Sequence, residues 1–236
     1  MEIKNKVFIV TGAARIGLDV AQGLLKNEAK LAVTYMTSEP DLGQEILYIK
    51  ADLTAEADVK NVIAETLKKY GHVDGLIHMA ANYIRTTWAE LNDETWNKSM
   101  RPIARSAFLM SKAVGDQLLK NPGDIKGKII LFSDWSVQSQ PYKDYLPYNV
   151  AKSAVEGLTK SLAKELAPGV MVNCIAPGPI LKPADLPDVE NAEALRNTPL
   201  GRWGGAYEIT KAVLFLIDSD FVTGQVLAVD GGRSLA

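Results

Sequence analysis

The sequence predicts an α/β domain built on a doubly wound parallel sheet of about seven strands. Three observations predict it. Apolar runs of strand length alternate with longer segments of helical period. Runs such as Val7-Phe8-Ile9-Val10 are apolar throughout instead of alternating, as strands covered on both faces are. The chain has 236 residues, 47% of them hydrophobic, and no Ser/Gly-rich or Pro-rich seam, which suits one domain over 1–236.

Residues 7–10 read as the first strand, and 16–26 as a helix with apolar residues at helical spacing. Residues 30–35 and 46–50 are the second and third strands. The segment between them, 36–45, contains Pro40 and Gly43 and leaves little room for a helix. Residues 55–70 form a helix for which Thr54 is the expected N-cap. Residues 75–79 are the fourth strand. A long helix over 93–120 contains Pro102, which removes a backbone donor and should kink or break it. Residues 128–133 are the fifth strand and 148–166 a helix, ended by Pro168-Gly169. Residues 170–175 are the sixth strand, 207–217 a helix and 225–229 the last strand. On such a sheet ligands collect beyond the carboxyl ends of the strands, so reactive residues should lie just after them.

Composition excludes several function classes. Charged residues make up 23% with a net charge of −2, so there is no basic footprint for nucleic acid or for a membrane surface. The single cysteine, Cys174, excludes an intramolecular disulfide and a cysteine zinc site. The two histidines, His72 and His78, give a metal site little to draw on, and none is expected. The apolar run ending at Thr11-Gly12 is too short to span a bilayer and lacks a cleavage pattern, so a cytoplasmic location is expected.

Two short motifs carry chemistry. Thr11-Gly12-Ala13-Ala14-Arg15-Ile16-Gly17 follows the first strand and opens the first helix. Small residues there let the backbone approach a pyrophosphate, and the helix N-terminus offers free N–H groups. Arg15 adds a charge that can pair with a phosphate. An ordinary strand-to-helix turn has the same look. Tyr148-Asn149-Val150-Ala151-Lys152 puts a phenol and an ammonium one turn apart on one helix face. The ammonium is expected to pull the phenol pKa down and make Tyr148 a usable proton donor. Taken alone, the pair also fits an amphipathic helix start with an exposed lysine.

The motifs together resemble the short-chain dehydrogenase/reductase family, in order and in register from about residue 5 to the C-terminus. The first turn is similar to that family's Thr-Gly-x-x-x-Gly-x-Gly loop, one residue shorter and without the middle glycine. Val172-Asn173-Cys174-Ile175-Ala176-Pro177-Gly178-Pro179-Ile180 resembles its nicotinamide loop, and Thr223-Gly224-Gln225 with Val229-Asp230-Gly231-Gly232 its terminal signature. The resemblance implies a Rossmann-type fold and a nicotinamide cofactor. It places Gly12, Arg15, Ile16, Asp52, Leu53, Ala80, Pro177, Gly178 and Ile180 around that cofactor. Lys152 then holds a ribose hydroxyl and tunes Tyr148. Residues 179–204 become the loop facing the substrate, with a helix expected within 182–200. No acidic residue ends the second strand, where Thr34-Tyr35-Met36-Thr37-Ser38 stands. Tyr35, Thr37, Ser38 and Arg15 therefore suit the 2′-phosphate of NADPH better than NADH.

Departures point within the family to the pteridine reductases. Asp134 stands where most members have a serine, with Ser133 and Ser136 as nearby alternatives. A carboxyl there can feed a proton to a ring nitrogen; an aspartate capping the next turn reads equally well. Tyr83 matches an aromatic residue that stacks on the pterin, or is a surface-loop aromatic. Pteridine reductases also carry an arginine near the place of Arg15. His78-Met79-Ala80-Ala81 replaces Asn-Asn-Ala-Gly, with His78 read as a strand-end residue. The family's helix-four asparagine is missing, Pro102-Ile103 stands near its place, and Asn97 does not align.

The leading expectation is an NADPH-dependent reductase of a pterin- or folate-like ring, with Asp134, Tyr148 and Lys152 catalytic and Tyr83 and Asp134 binding substrate. Two alternatives stay open: a carbonyl reductase of 3-oxoacyl thioesters, and a non-catalytic NADP-binding regulator. The long helices over 93–120 and 148–166 are expected to build a homotetramer or dimer.

Overall fold

The computed structural model describes residues 1–43, 45–183 and 187–236. Seven parallel strands form one sheet: β1 (Val7–Thr11), β2 (Lys30–Tyr35), β3 (Leu47–Lys50), β4 (Gly75–His78), β5 (Gly127–Phe132), β6 (Val170–Pro177) and β7 (Val226–Val229). Their order is β3-β2-β1-β4-β5-β6-β7. The direction of winding reverses between β1 and β4, which opens a crevice at their carboxyl ends.

The unbroken apolar runs have the predicted consequence. Every residue of β1 is buried, with Ile9 facing one layer of helices and Phe8 and Val10 the other. One core joins Ile9, Leu76, Ile129 and Val172 to α2 (Glu56–Tyr70), α4 (Ser106–Leu118) and α5 (Leu146–Glu165). The other joins Phe8, Val10, Ile77 and Ile130 to α1 (Ile16–Lys26) and α7 (Ala206–Asp218). Among the described residues, no helix is long and apolar enough to cross a membrane.

One local feature departs from expectation and two meet it. Ala55, not Thr54, is the N-cap of α2. The Asp52 carboxylate takes the Thr54 N–H at 2.9 Å, and Asp58 reaches back to the Asp52 N–H at 2.8 Å. An Asx turn thus precedes the helix and does the work assigned to a hydroxyl cap. The long helix is three pieces: α3 (Asp93–Met100), a π turn (Arg101–Arg105) and α4. Pro102 has no N–H for the Lys98 carbonyl, and the Asn82 amide donates to that carbonyl at 2.6 Å. A nine-residue surface helix, α6 (Asp188–Arg196), falls within 182–200, where a helix was expected after the sixth strand; it has no buried residue, so no apolar stripe marks its bounds. Residues 184–186 of the expected substrate loop, Asp185 among them, lie outside the described residues.

Candidate active site

The turn after β1 is fixed by backbone contact. Gly12 has φ +70°, and a Cβ added there would lie 2.6 Å from the Met79 carbonyl carbon. A Cβ on Gly17 would lie 2.1 Å from the Gly12 oxygen. The chain therefore passes β4 at a distance only glycine permits. Arg15, in the shortened loop, has φ 53°, a conformation that favours glycine. The deletion removed a glycine and left the bend.

Beside this turn lies a cavity of about 1360 Å³ at the carboxyl ends of β1, β2 and β4. Gly12, Arg15 and Ala80 line one part of it, Tyr35, Thr37 and Ser38 a second, and Asp52 and Leu53 a third. Glu39 also lines it; burial first and then the facing Glu39 carboxylate push up the Tyr35 phenol. Bonds from Thr54, the largest effect, hold the Asp52 carboxyl below the usual carboxylate range. Ile16 opens α1 behind the turn, outside the cavity wall. Pro177 ends β6, Ile180 is buried, and a Cβ on Gly178 would meet the Asp230 Cβ at 2.4 Å. The glycine cradle, the helix N-terminus and the cavity fit a dinucleotide, which Gly12, Arg15 and Ala80 would hold at its phosphates.

The reacting groups converge from β5 and α5. Asp134 follows β5 and caps a 3₁₀ turn (Trp135–Gln138), its Oδ1 accepting the Ser136 N–H at 2.9 Å. Its Oδ2 accepts the Tyr148 hydroxyl at 2.6 Å. Both readings of Asp134 hold at once, one on each oxygen. The Lys152 Nζ is buried, donates to the Phe132 carbonyl at 2.9 Å and lies 5.8 Å from the centroid of the Tyr148 ring. The expected lowering of the Tyr148 pKa is overturned. Burial, and after it the Asp134 carboxylate, push that phenol above its ordinary value, so it stays protonated. Burial pulls the Lys152 ammonium down, against the opposing pull of Asp134. The alternative serines point elsewhere. Ser133 donates to Glu156 at 2.8 Å, and the buried Ser136 hydroxyl has no partner among the described residues.

Tyr83, 55% exposed, is at once a surface aromatic and a neighbour of the reacting phenol. It meets Tyr148 edge-on at 4.9 Å and stacks on Tyr145 at 4.3 Å. Tyr142 completes a group holding four of the chain's eight tyrosines. Sequence reading missed Tyr142 and Tyr145, although the spacing 142, 145, 148 is visible. The two loops are clamped together. The Thr86 N–H donates to the Asp144 carbonyl at 2.6 Å, and Arg85 pairs with the Asp144 carboxylate at 2.5 Å.

His78 ends β4, as expected, but has partners the sequence did not disclose. Its Nδ1 lies 3.0 Å from the Thr11 hydroxyl and its Nε2 3.1 Å from that of Ser106. Ser106 donates its one proton to the Pro102 carbonyl at 2.6 Å, so Nε2–H is the donor and Nδ1 the acceptor. Thr11 Oγ1 also accepts the Ala80 N–H at 3.2 Å. Burial drives the His78 pKa down to about 3, so the ring is neutral. Asn97 is half-buried in the cavity wall and bonds Asp93 in its own helix.

Residues 12–234 match the family model described as Enoyl-(Acyl carrier protein) reductase. The chain is 33% identical to the 3-oxoacyl-[acyl-carrier-protein] reductase FabG of Escherichia coli, with 98% of each chain covered. It is 30% identical to (2S)-[(R)-hydroxy(phenyl)methyl]succinyl-CoA dehydrogenase subunit BbsD of Thauera aromatica, over 100% of this chain and 99% of that one. The ligand-free aldohexose dehydrogenase (AldT) of Thermoplasma acidophilum superposes with a TM-score of 0.90 at 26% identity, covering 99% of this chain and 96% of the other. The chain belongs to the short-chain dehydrogenase/reductase family and is an NAD(P)-dependent oxidoreductase. The expected reading as a non-catalytic regulator gives way to this. These relatives lend the pteridine reductase subgroup no support.

Proposed function

We propose that this enzyme reduces the carbonyl of an oxoacyl thioester with NADPH, the alternative that the sequence left open. The observation that carries it is the 2.6 Å bond from Tyr148 to Asp134 beside the buried Lys152. The two curated relatives act, by their names, on an oxoacyl-[acyl-carrier-protein] and on a hydroxy-substituted acyl-CoA.

When bound, the reduced nicotinamide supplies a hydride to the carbonyl carbon. Tyr148, held as a phenol, delivers its proton to the carbonyl oxygen as the C=O π bond breaks. Lys152 offsets the phenolate that forms and holds a ribose hydroxyl. Asp134 Oδ2 accepts the Tyr148 hydroxyl at 2.6 Å and so fixes the phenol at the place the carbonyl oxygen must reach. Pro177, Gly178 and Ile180 support the nicotinamide end, and the described residues 179–183 and 187–204 face the substrate.

NADPH is favoured by Arg15, Thr37 and Ser38 in the cavity wall, and opposed there by Glu39. Glu39→Gln should raise the NADPH-to-NADH preference, and Arg15→Ala should lower it. A homotetramer or dimer is proposed through α4 and α5, whose Phe108 and Val150 are exposed; light scattering giving the 25.6 kDa of one chain removes it.

A second reading, reduction of a flat pterin- or folate-like ring, is favoured by one observation, the Tyr83 ring beside Tyr148 and Asp134. Following NADPH oxidation with an acetoacetyl thioester, dihydropterin and dihydrofolate, with NADH as control, separates the two. Turnover of the thioester supports the first reading, and turnover of a ring alone replaces it with the second.

A further inference from the structure

Helix α5 presents Tyr148, Lys152 and Glu156 at a spacing of four, which places all three on one face. The first two are accounted for above. Glu156 is half-buried one turn beyond Lys152, and two donors end on the same oxygen of its carboxylate. Ser133 Oγ donates to Oε1 at 2.8 Å, and Gln138 Nε2 donates to it at 3.0 Å. Ser133 immediately precedes Asp134. Gln138 is the last residue of the 3₁₀ turn that Asp134 caps. One oxygen therefore ties the entry and the exit of the turn that carries Asp134.

The tie acts on a turn whose middle is anchored by the buried Trp135, its Nε1 donating to the Tyr142 hydroxyl at 2.8 Å. Within it, Asp134 is held by the Ser136 N–H on its side chain and by a 3.3 Å bond from the Val137 N–H to its carbonyl. The adjoining segment from Ser139 to Pro141 is exposed. A carboxylate has only acceptor sites, so it can take both donors without supplying one. The same helix then sets both ends of one interaction. Tyr148 bonds the Asp134 carboxylate directly, while Glu156 fixes the backbone from which that carboxylate hangs.

We propose that Glu156 is a positioning residue that holds Asp134 in bonding distance of Tyr148. This rests on the functional reading of the Asp134–Tyr148 pair. Several titratable groups face that pair: Lys152 from α5, Tyr83 from the loop after β4, and Tyr142 from the loop before α5. Arg233 faces Tyr142 and lies 5.2 Å from the Trp135 ring. Glu156 touches none of their polar atoms through the bonds described. Its effect on the pair should therefore pass through Asp134.

The test is a double-mutant cycle between Glu156→Ala and Asp134→Asn in the full-length enzyme. It is read as the pH dependence of kcat for acetoacetyl thioester reduction and as the ¹³Cζ resonance of Tyr148, assigned with Tyr148→Phe. Glu156→Ala should cost about tenfold in kcat with KM nearly unchanged, and shift the pH profile in the direction of Asp134→Asn. Added to Asp134→Asn it should cost nothing further. Glu156→Gln keeps Oε1 and should restore the wild-type profile. Should Glu156→Ala not fold, Ser133→Ala removes one of the two donors and should move the profile part of the way. Losses that multiply in the cycle, or a wild-type profile in Glu156→Ala, overturn the proposal. If no thioester is turned over, the functional reading fails, and the resonance still decides. A Tyr148 resonance whose titration changes in Glu156→Ala supports positioning, and an unchanged one removes it.

Discussion

The two ends of the active-site crevice are built from different materials. At the end under β1 and β4 the shape is set by backbone, with an added Cβ on Gly12 only 2.6 Å from the neighbouring strand end. At the end formed by β5 and α5 it is set by side-chain hydrogen bonds, such as the 2.6 Å bond from Tyr148 to Asp134. The first end should be intolerant of bulk at its glycines. The second should be the reverse, accepting isosteric changes in shape and failing when a proton is lost or misplaced.

The largest effect should break the second end. Tyr148→Phe keeps the ring and removes the proton, and kcat should fall about 10²- to 10⁴-fold while NADPH still binds, as fluorescence titration would reveal. Next, Gly12→Ala should break the first end. A methyl forced against the Met79 backbone at φ +70° costs about 1–3 kcal/mol of strain. Thermal unfolding should register that cost, with a weaker Kd for NADPH and an unaltered pH profile. Equal pH profiles but an unchanged Kd would blur the distinction between the ends.

His78 ties the first end to α4 through Thr11 and Ser106, and its contribution is readable in acid. Its folded pKa of about 3 lies below the 6.5 of the unfolded chain. Between those values the unfolded state binds more protons, so stability present above pH 6.5 is lost as pH falls. The slope is about 1.4 kcal/mol per pH unit from this group. His78→Asn should flatten the acid limb of a Tm-versus-pH curve over that window. A smaller effect is expected from Asp134→Ser. Serine shortens the side chain that accepts the Tyr148 hydroxyl at 2.6 Å, and kcat should change by about tenfold or less. The smallest is Arg15→Gly, which should relieve about 0.5–1 kcal/mol of backbone strain in denaturant unfolding while weakening NADPH more than NADH.

The same contrast explains what was legible in the sequence. The β1 run, the glycines after it and the break at Pro102 are written in local pattern, because burial on both faces, close approach and a missing N–H each demand particular residue types. The Tyr148–Lys152 pair is equally local, four residues apart on a helix. What local pattern does not carry is a bond across the fold. The Thr11 and Ser106 partners of His78 come from other elements, and the Asn82 amide that replaces the missing donor lies 16 residues from Lys98. The direction of the Tyr148 shift was misread for a related reason. Spacing reveals the cation one turn away, whereas burial and a carboxylate arriving from β5 are invisible until the chain is folded. The bounds of helix α6 were not legible because a helix with no buried side leaves no periodicity.

The π turn at Arg101–Arg105 also changes the rotational phase of the helix that contains it. A wider turn shifts everything after it by roughly one residue's step of about 100°. Ahead of it α3 packs on α5 and lines the cavity; beyond it α4 packs on α2. One uninterrupted cylinder with a single stripe would have served one of these neighbours and turned away from the other. The turn works as a frameshift in three dimensions, so deleting a single residue from it would rotate the cavity wall rather than shorten it.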